Sequence, residues 1–280
     1  MILKTRTKML IARILQQILL HIKKDKNPIV KVMRKNIYYK LDLLEGIDLA
    51  ILLGVYEKTT VRAYNKIIKA GDVVFDIGAN IGAHTLQFAD LVGNSGIVVA
   101  FEPTDYAFMK LQDNVVLNPR LSSQIILNQM MLVDSDVKEE SMPELYSSWP
   151  LIPSNNVHPE HLGRKMKTSN ARSTTLDTYM RKKKITKVNL IKIDVDGYEY
   201  HVLKGAMSTI KKHKPLIIME LCPYVLNETG HDVDEIIEIF KELEYKISDM
   251  SSGKVFPDDP GFIKSLIPKG ASQNIIAQKK

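Results

Sequence analysis

Acidic residues close several predicted strands of this chain. They stand where apolar runs of the sequence end, and they are Asp76, Glu102, Asp134, Asp194 and Asp196. In an open α/β sheet the carboxyl ends of parallel strands meet at one edge, and ligands bind there. Carboxylates gathered at one edge repel one another, so they are hard to explain as a contribution to stability. We therefore expect a binding site for a ligand that is cationic or rich in hydrogen-bond donors.

A glycine-containing turn follows the strand that carries Asp76. It includes Gly78, Asn80 and Gly82, and a helical pattern begins beside His84. Glycine lets the backbone come close to a ligand, and free N–H groups at a helix N-terminus favour polar or negative ligand groups. The spacing Asp-x-Gly-x-x-x-Gly differs from the pattern of dinucleotide-binding proteins. It is similar to the first motif of methyltransferases that use S-adenosyl-L-methionine (SAM). The alternative is a turn that only packs the strand on the helix.

Glu102 ends the second predicted strand, which is expected to lie beside the first. A carboxylate at that position can accept two hydrogen bonds from the hydroxyl groups of a ribose. Nicotinamide cofactors contain the same ribose, so Glu102 indicates a nucleoside without choosing between SAM and NAD. Asp134 closes the third strand-like run and is predicted to contact the same cofactor.

The rest of the pattern alternates strands with helices. Unalternating apolar runs predict buried strands at 73–77, 96–101, 124–131, 188–193, 215–221, 245–248 and 274–277. Helical periodicity precedes the first of these strands, at 60–68, and separates later ones, at 105–118, 198–210 and 233–243. Two shorter strand-like pieces precede the first strand, at 37–41 and 50–53. This order predicts an α/β fold with a doubly wound, mostly parallel sheet and helices on both faces.

The sequence divides into three parts. We predict a basic amphipathic arm at 1–35, a preamble or lid at 36–70, and a cofactor-binding domain at 71–280 that a long loop interrupts at about 135–172. A loop of this length inside a compact domain is usually functional or disordered. Its aromatic residues Tyr146 and Trp149 are able to stack on a sugar or a lipid. The alternative is that Trp149 anchors the loop to the body.

Positive charge is concentrated near the N-terminus. Residues 1–40 contain eleven Lys and Arg against one Asp, a net charge of +10, whereas the other 240 residues contain 28 basic and 31 acidic side chains, a net charge of −3. The acidic body argues against a nucleic-acid partner. Apolar residues at 3–24 recur at helical spacing, but their uncharged run is too short to span a bilayer. We expect a helix that packs on the protein or a partner chain, or that lies on an anionic membrane.

The single cysteine, Cys222, rules out a disulfide framework and a zinc site built on cysteines. The expected location is therefore the cytoplasm, with peripheral contact at the inner membrane face if the arm binds lipid. His158 and His161 resemble a pair of metal ligands. A proline lies between them and no further ligand stands nearby in the sequence, so no metal site is predicted.

Five separated motifs of the chain resemble the FkbM family of methyltransferases. They lie at 74–85, 100–103, 175–179, 190–199 and 202–206, and the resemblance covers roughly residues 50–250. It implies a class I methyltransferase fold, which is Rossmann-like, with SAM as the cofactor and a hydroxyl oxygen of a glycan or natural product as the usual acceptor. It also implies that the cofactor is held by Asp76, Gly78, Asn80 and Gly82, and that Glu102 binds its ribose.

Methyl transfer to an alcohol needs a general base, because the hydroxyl oxygen is a poor nucleophile until its proton is removed. Asp194 is the first candidate, since its strand is expected beside the cofactor strand, and His84 and His201 are weaker ones. The alternative for Asp194 is a structural role in the turn through Gly197. Asp196 stands where the family often has Glu, which weakens the case for a direct role of this shorter acid.

Two other functions stay open at this point. One is a nucleotide-binding module that has lost catalysis and acts through its basic arm. The other is a methyltransferase that acts on another class of acceptor. The sequence does not predict the oligomeric state.

Overall fold

The computed structural model describes residues 5–23, 27–136 and 142–280. Within these ranges the chain forms thirteen strands and twelve α-helices. The strands are β1 (Ile29–Arg34), β2 (Ile37–Asp42), β3 (Val73–Ile77), β4 (Ile97–Phe101), β5 (Ile125–Asn128), β6 (Met130–Leu132), β7 (Leu145–Ser148), β8 (Arg164–Met166), β9 (Arg172–Thr174), β10 (Leu190–Ile193), β11 (Leu216–Leu221), β12 (Tyr245–Asp249) and β13 (Gln273–Lys279). The helices are α1 (Thr5–Ile22), α2 (Gly46–Leu52), α3 (Lys58–Ile67), α4 (Thr85–Val92), α5 (Asp105–Val116), α6 (Pro119–Ser122), α7 (Leu176–Lys183), α8 (Glu199–Lys204), α9 (Met207–His213), α10 (Pro223–Glu228), α11 (Val233–Glu242) and α12 (Pro260–Leu266).

The central sheet has seven strands in the order β12-β13-β11-β10-β3-β4-β5. The strands from β11 to β5 run parallel to one another, and β13 runs antiparallel to both of its neighbours. Because β3 and β10 are adjacent, the chain winds away from them in opposite directions, and the crevice at their carboxyl ends is the switch point of the sheet. The structure confirms the predicted doubly wound, mostly parallel sheet.

Helices bury both faces of this sheet, and alternate residues of each strand point to opposite faces. Phe75, Val99 and Ile191 belong to one core, which α7, α8 and α11 complete. Val74 and Val98 belong to the other core, which α3, α4 and α5 complete. The strands are therefore apolar on both sides, and this is why their sequences do not alternate.

Several short elements differ from the sequence prediction. The strand predicted at 50–53 is wrong, because residues 50–52 belong to α2, in which Leu49 and Ile51 are buried. A short apolar run fits a buried helix as well as a strand, so periodicity cannot separate the two. The strand predicted at 124–131 divides at Gln129: β5 joins the central sheet, whereas β6 pairs with β9 in a separate two-stranded sheet. In the predicted arm, the unpredicted strand β1 pairs antiparallel with β2.

The long loop predicted at about 135–172 is called the insertion. It contains a hairpin, formed by β7 and β8, with a bulge between Tyr146 and Ser148. Glu45 attaches it to the body, because its carboxylate accepts hydrogen bonds from the Ser148 hydroxyl and from the backbone N–H of Trp149. Trp149 is itself partly buried in a small apolar cluster with Met9 of α1. These contacts favour the interpretation that Trp149 anchors the loop. Residues 137–141 of the predicted loop lie outside the described residues.

Helix α1 packs on the body along one side only. Met9 and Gln16 are buried, and Leu19 contacts the same cluster as Trp149. The opposite side carries exposed apolar residues, which are Ile11, Ile14, Leu15, Ile18 and Ile22. Among the helices that the structure describes, none is both long and apolar enough to cross a membrane.

Candidate active site

A cleft opens at the carboxyl ends of β3, β4 and β10, which is the switch point of the sheet. It encloses about 510 Å³ of space, part of which is open to solvent. Of the predicted site residues, Gly78, Asn80, Glu102 and Asp194 line it, and Asp196 lines it with them. Its apolar lining includes Ile77, Phe101, Met131, Leu132 and Val202.

The turn after β3 has the positive φ angles and close backbone approach that its glycines allow. Gly78 has φ +81°, and a Cβ there would lie 1.8 Å from the backbone oxygen of Asp194, so only glycine fits between the two strand ends. Asn80 also has a positive φ, and its N–H donates to Glu102 Oε2 at 2.9 Å. A Cβ on Gly82 would lie 2.6 Å from Leu111 Cδ1. Gly82 does not line the cleft, and its position is explained by close packing of the turn on α5.

Glu102 is buried at the end of β4. Its Oε1 accepts from the backbone N–H and the hydroxyl of Thr104, at 2.9 and 2.6 Å, while Oε2 accepts from Asn80. Burial raises the pKa of Glu102, and these hydrogen bonds oppose the rise. A carboxylate offers roughly four acceptor positions, so about one remains for a ligand.

Asp76 lies below the cleft rather than in it. It is fully buried, and its Oδ2 accepts from the Thr85 hydroxyl at 2.6 Å. Its Oδ1 lies 3.6 Å from the ammonium nitrogen of Lys192 and has no hydrogen-bond partner among the described residues. The structure therefore brings the charge of Asp76 to Lys192 and not to the lining of the cleft.

Lys192 is a site residue that the sequence analysis missed. It is 3% exposed, it lies on β10 between two carboxylates, and it donates to Asp194 Oδ2 at 3.0 Å. Burial acts to lower the pKa of Lys192, but the carboxylates of Asp194, Asp76 and Glu57 outweigh it and raise the pKa. The available signal was a lysine inside an apolar strand, since a buried charge requires partners.

Asp194 is partly exposed and faces the cleft, while a different residue secures the turn that follows it. The carboxylate of Glu199 accepts from the N–H groups of Val195 and Gly197, at 3.2 and 3.0 Å. Burial raises the pKa of Glu199 to about 7. The alternative in which the Asp194 side chain holds this turn therefore finds no support in the hydrogen bonds that the described residues form.

His84 belongs to a buried polar chain. Its Nε2 lies 3.2 Å from Glu57 Oε2, and its Nδ1 lies 3.3 Å from the hydroxyl of Tyr64. It is the residue before α4, and its side chain makes no capping hydrogen bond to that helix. Burial acts to raise the pKa of Glu57, but His84 and then Lys192 outweigh it and lower the pKa to about 2. This series of polar contacts joins the segment before α3 to the turn after β3, and no pattern in the sequence indicates Glu57.

Asp134 lies away from the cleft. It follows β6, which has left the central sheet, and its carboxylate pairs with His201 Nδ1 at 3.2 Å on the surface. Burial acts to raise the pKa of Asp134, and the hydrogen bond from His201 lowers it overall. The structure thus brings neither Asp134 nor His201 to the other predicted site residues, and the cofactor role of Asp134 stays a prediction.

The insertion supplies one wall of the cleft, through Leu145 and Tyr146. Asn80 reaches this wall, since its side-chain amide donates to the backbone oxygen of Ser147 at 3.4 Å. Further along the insertion the rings of His158 and His161 stack with their centroids 4.0 Å apart. His158 Nε2 pairs with Glu228, and His161 Nδ1 accepts from the N–H of Gly163. Within the described part of the chain no three metal-ligating side chains converge.

Comparisons with known proteins identify the family of this chain. A family model described as the methyltransferase FkbM domain matches residues 76–247. The chain belongs to the FkbM family of methyltransferases. It is therefore an enzyme whose cofactor is SAM, which confirms the prediction from the sequence motifs.

Individual relatives of this FkbM methyltransferase are distant. The hexuronic acid methyltransferase AglP of Haloferax volcanii is 27% identical over 193 residues, which are 66% of this chain and 68% of AglP. The solved methyltransferase FkbM from Methylobacillus flagellatus is 14% identical, with 82% of this chain and 53% of that chain covered and a TM-score of 0.44. A SAM-dependent O-methyltransferase from Thermotoga maritima is 14% identical, with 90% and 78% covered and a TM-score of 0.45.

Proposed function

We propose that this enzyme methylates a hydroxyl oxygen of a saccharide, as part of a glycan. The observation that carries the proposal is the cleft, in which Glu102 and Asp194 follow the strands on either side of β3. One carboxylate suits the cofactor's ribose, and the other is left for a hydroxyl group of the acceptor. The hexuronic acid named for AglP is itself a polyhydroxyl acceptor, which supports a sugar.

The residues of the cleft fit SAM. The remaining acceptor position on Glu102 suits a ribose hydroxyl, and the apolar side chains of Phe101 and Leu132 suit a flat adenine ring. We propose that Gly78 and Asn80 let the backbone approach the cofactor, while Asp76 and Gly82 support the turn from behind. When bound, SAM supplies a methyl group activated by a positively charged sulfur.

Asp194 is the proposed contact for the acceptor. Its carboxylate faces the cleft and is held by Lys192, so an entering hydroxyl finds a fixed hydrogen-bond acceptor. Fixing the hydroxyl in line with the methyl group is worth several kcal/mol of the barrier. Tyr146, which also lines the cleft, offers a ring on which a sugar can stack.

Mass spectrometry of the products made from labelled SAM tests this function, with glycosides of hexuronic acids and of neutral hexoses as acceptors. In Asp194→Asn we expect kcat to fall about 100-fold, because the acceptor hydroxyl is no longer held in line with the methyl group, while calorimetry shows unchanged SAM binding. Asp90→Asn is the control, because Asp90 pairs with Arg120 on the surface. Absence of any methylated saccharide would refute the acceptor class, and full turnover by Asp194→Asn would remove Asp194 from the reaction.

We also propose that the enzyme contacts an anionic membrane through α1. The exposed apolar stripe of Ile11, Ile14, Leu15, Ile18 and Ile22 lies opposite the side that packs on the body. The surrounding residues 1–40 carry a net charge of +10. An apolar stripe flanked by positive charge is typical of helices that lie in the interface of acidic bilayers. Because α1 packs beside Trp149, such contact would bring the wall of the cleft towards a lipid-linked acceptor.

Co-sedimentation with vesicles of phosphatidylglycerol and phosphatidylcholine tests this contact. We expect sedimentation that weakens in high salt, is absent with phosphatidylcholine alone, and is lost in Ile14→Glu/Ile18→Glu. Gln17→Glu/His21→Glu is the matched control, since it changes the charge of the same helix without removing apolar area. Equal sedimentation of the apolar variant would refute the contact. So would a dimer in light scattering that this variant dissociates, because a second copy would then cover the stripe.

A further inference from the structure

Glu220 is a carboxyl group that does not line the cofactor cleft. It lies near the end of β11, and the parallel register pairs Ile193 with Met219 on the neighbouring strands. Asp194 and Glu220 are the next residues on the two segments, and the charge of Asp194 acts on the Glu220 carboxyl group. Glu220 therefore stands beside Asp194, at the carboxyl edge of the sheet.

Glu220 lies on the far side of Asp194 from the cofactor cleft. Asp194 lines the cleft, whereas Glu220, one strand further out, does not. When a methyl group is transferred in line with the carbon–sulfur bond that breaks, the acceptor oxygen approaches the methyl carbon from the side opposite to the sulfur. A hydroxyl that contacts Asp194 from the β11 side would thus meet Glu220.

The surroundings of Glu220 are mostly acidic. Its carboxylate accepts a hydrogen bond from the Ser272 hydroxyl. The other ionisable groups that face it come from β10, α8, α10 and the segment before α3, and they are Asp194, Asp196, Glu199, Glu57, Tyr56, Cys222 and Tyr224. Lys192, a buried cation on β10, donates its hydrogen bond to Asp194.

Two neighbouring carboxyl groups are therefore placed in different environments. Burial, followed by the charges of Asp194 and Glu57, raises the pKa of Glu220 to about 8, against the opposing hydrogen bond from Ser272. Asp194 instead has an ammonium group at 3.0 Å. One carboxylate is thus held by a cation and its neighbour is not, and such a pair commonly divides the roles of base and electrostatic partner.

We propose that Glu220 is the general base of the reaction, with Asp194 as the group that orients the acceptor hydroxyl. This proposal rests on the function proposed above. The hydroxyl oxygen bonds to the methyl carbon with the electron pair that held its proton, and the carbon–sulfur bond breaks with its pair remaining on sulfur. The proton passes to the Glu220 carboxylate, which becomes a neutral carboxyl group, so that charge and atoms balance.

The pH profile of turnover reports this base. A base with a pKa of about 8 is ionised in only a minor fraction of molecules at pH 7, so kcat/KM should rise with pH and level off above about 8. Glu220→Gln should lower kcat/KM about 100-fold or more at pH 8.5 and abolish this rise. Glu220→Asp keeps a carboxyl group, and it should retain the rise at a lower rate.

Stability of the SAM-free protein supplies a second readout that needs no turnover. The pKa of Glu220 is about 8 in the folded protein against 4.5 for an ordinary glutamate. Between these values the folded state holds a proton that the unfolded chain releases, so Glu220 makes the protein less stable as pH rises through this range. The Tm of Glu220→Gln minus that of the parent should therefore be more positive at pH 9 than at pH 5.

Glu238→Gln is the control for both measurements, because Glu238 is exposed and pairs with Lys241 on α11. A rise in kcat/KM that persists in Glu220→Gln, or a Tm difference that does not grow with pH, would overturn the role of Glu220 while leaving saccharide methylation intact. If the parent methylates no saccharide, the proposed function fails instead. Should Glu220→Gln fold poorly by circular dichroism, Glu220→Asp decides, because a profile without the rise would refute the proposal.

Discussion

Lys192 is the residue whose replacement should disturb this protein most. Its ammonium nitrogen lies 3.0 Å from Asp194 Oδ2 and 3.6 Å from Asp76 Oδ1, and Asp76 is fully buried. Lys192→Met keeps the apolar stem of the side chain but removes the charge. Asp76 then retains the hydrogen bond from Thr85 and loses its cation, while Asp194 loses its hydrogen-bond donor.

The magnitude follows from the burial of the two carboxylates. Removing one partner of a buried ion pair costs about 3–5 kcal/mol, because the other charge stays buried without a partner. Asp194 is partly exposed and recovers some hydration, so the cost comes mainly from Asp76 and should lie near the lower limit, about 3 kcal/mol. In a protein of this size that corresponds to a fall in Tm of roughly 5–10 °C.

Urea unfolding of the parent and of Lys192→Met, followed by circular dichroism at pH 7, measures this cost. Asp76→Asn in the Lys192→Met background should recover part of the stability. Lys211→Met, which breaks an exposed pair with Glu242, should leave Tm almost unchanged. A loss no larger than in this control would refute the reasoning.

Two further predictions concern the neighbours of this ion pair. Gly78→Ala should destabilise the protein by at least about 3 kcal/mol in thermal unfolding, since its Cβ would lie 1.8 Å from the backbone oxygen of Asp194. Gly253→Ala, with a similar positive φ but open space around it, should lose only about 1–2 kcal/mol, and an equal loss at both glycines would contradict the steric argument. Glu57→Gln should lower Tm at pH 7. Because His84 and Lys192 outweigh burial and lower the pKa of Glu57 to about 2, below the 4.5 of an ordinary glutamate, its contribution is present above about pH 4.5 and is lost as pH falls towards 2. A Tm deficit that does not shrink in acid would contradict this.

Local patterns in the sequence were enough to predict the core of the fold. The apolar strands, the capped helices and the glycine turn after β3 each depend on residues that are close in sequence, and the structure has them with small shifts of boundary. The acids that follow β4 and β10 were found for the same reason, because the end of an apolar run shows in the sequence where a strand ends. The family motifs added the cofactor, which no single residue shows.

Other parts of the site could not be read from the sequence because they depend on contacts between distant segments. Glu57 meets His84 only because α3 packs on the face of the sheet that α4 also covers. Asp134 was expected in the cleft, but its strand leaves the sheet after Gln129 and takes it to the surface. Neither outcome follows from periodicity, which reports burial but not the partner that causes it.

The doubly wound sheet, its switch point and the carboxylates that stand there follow from local sequence patterns, because strands, turns and their ends are encoded over a few residues. How those carboxylates differ depends on contacts between segments that are far apart in the sequence. Asp76 is enclosed, Asp194 is held by Lys192, and Glu220 is left to titrate near neutral pH. The properties of a charged group depend on burial and on the charges around it, and both arise only when separate strands come together.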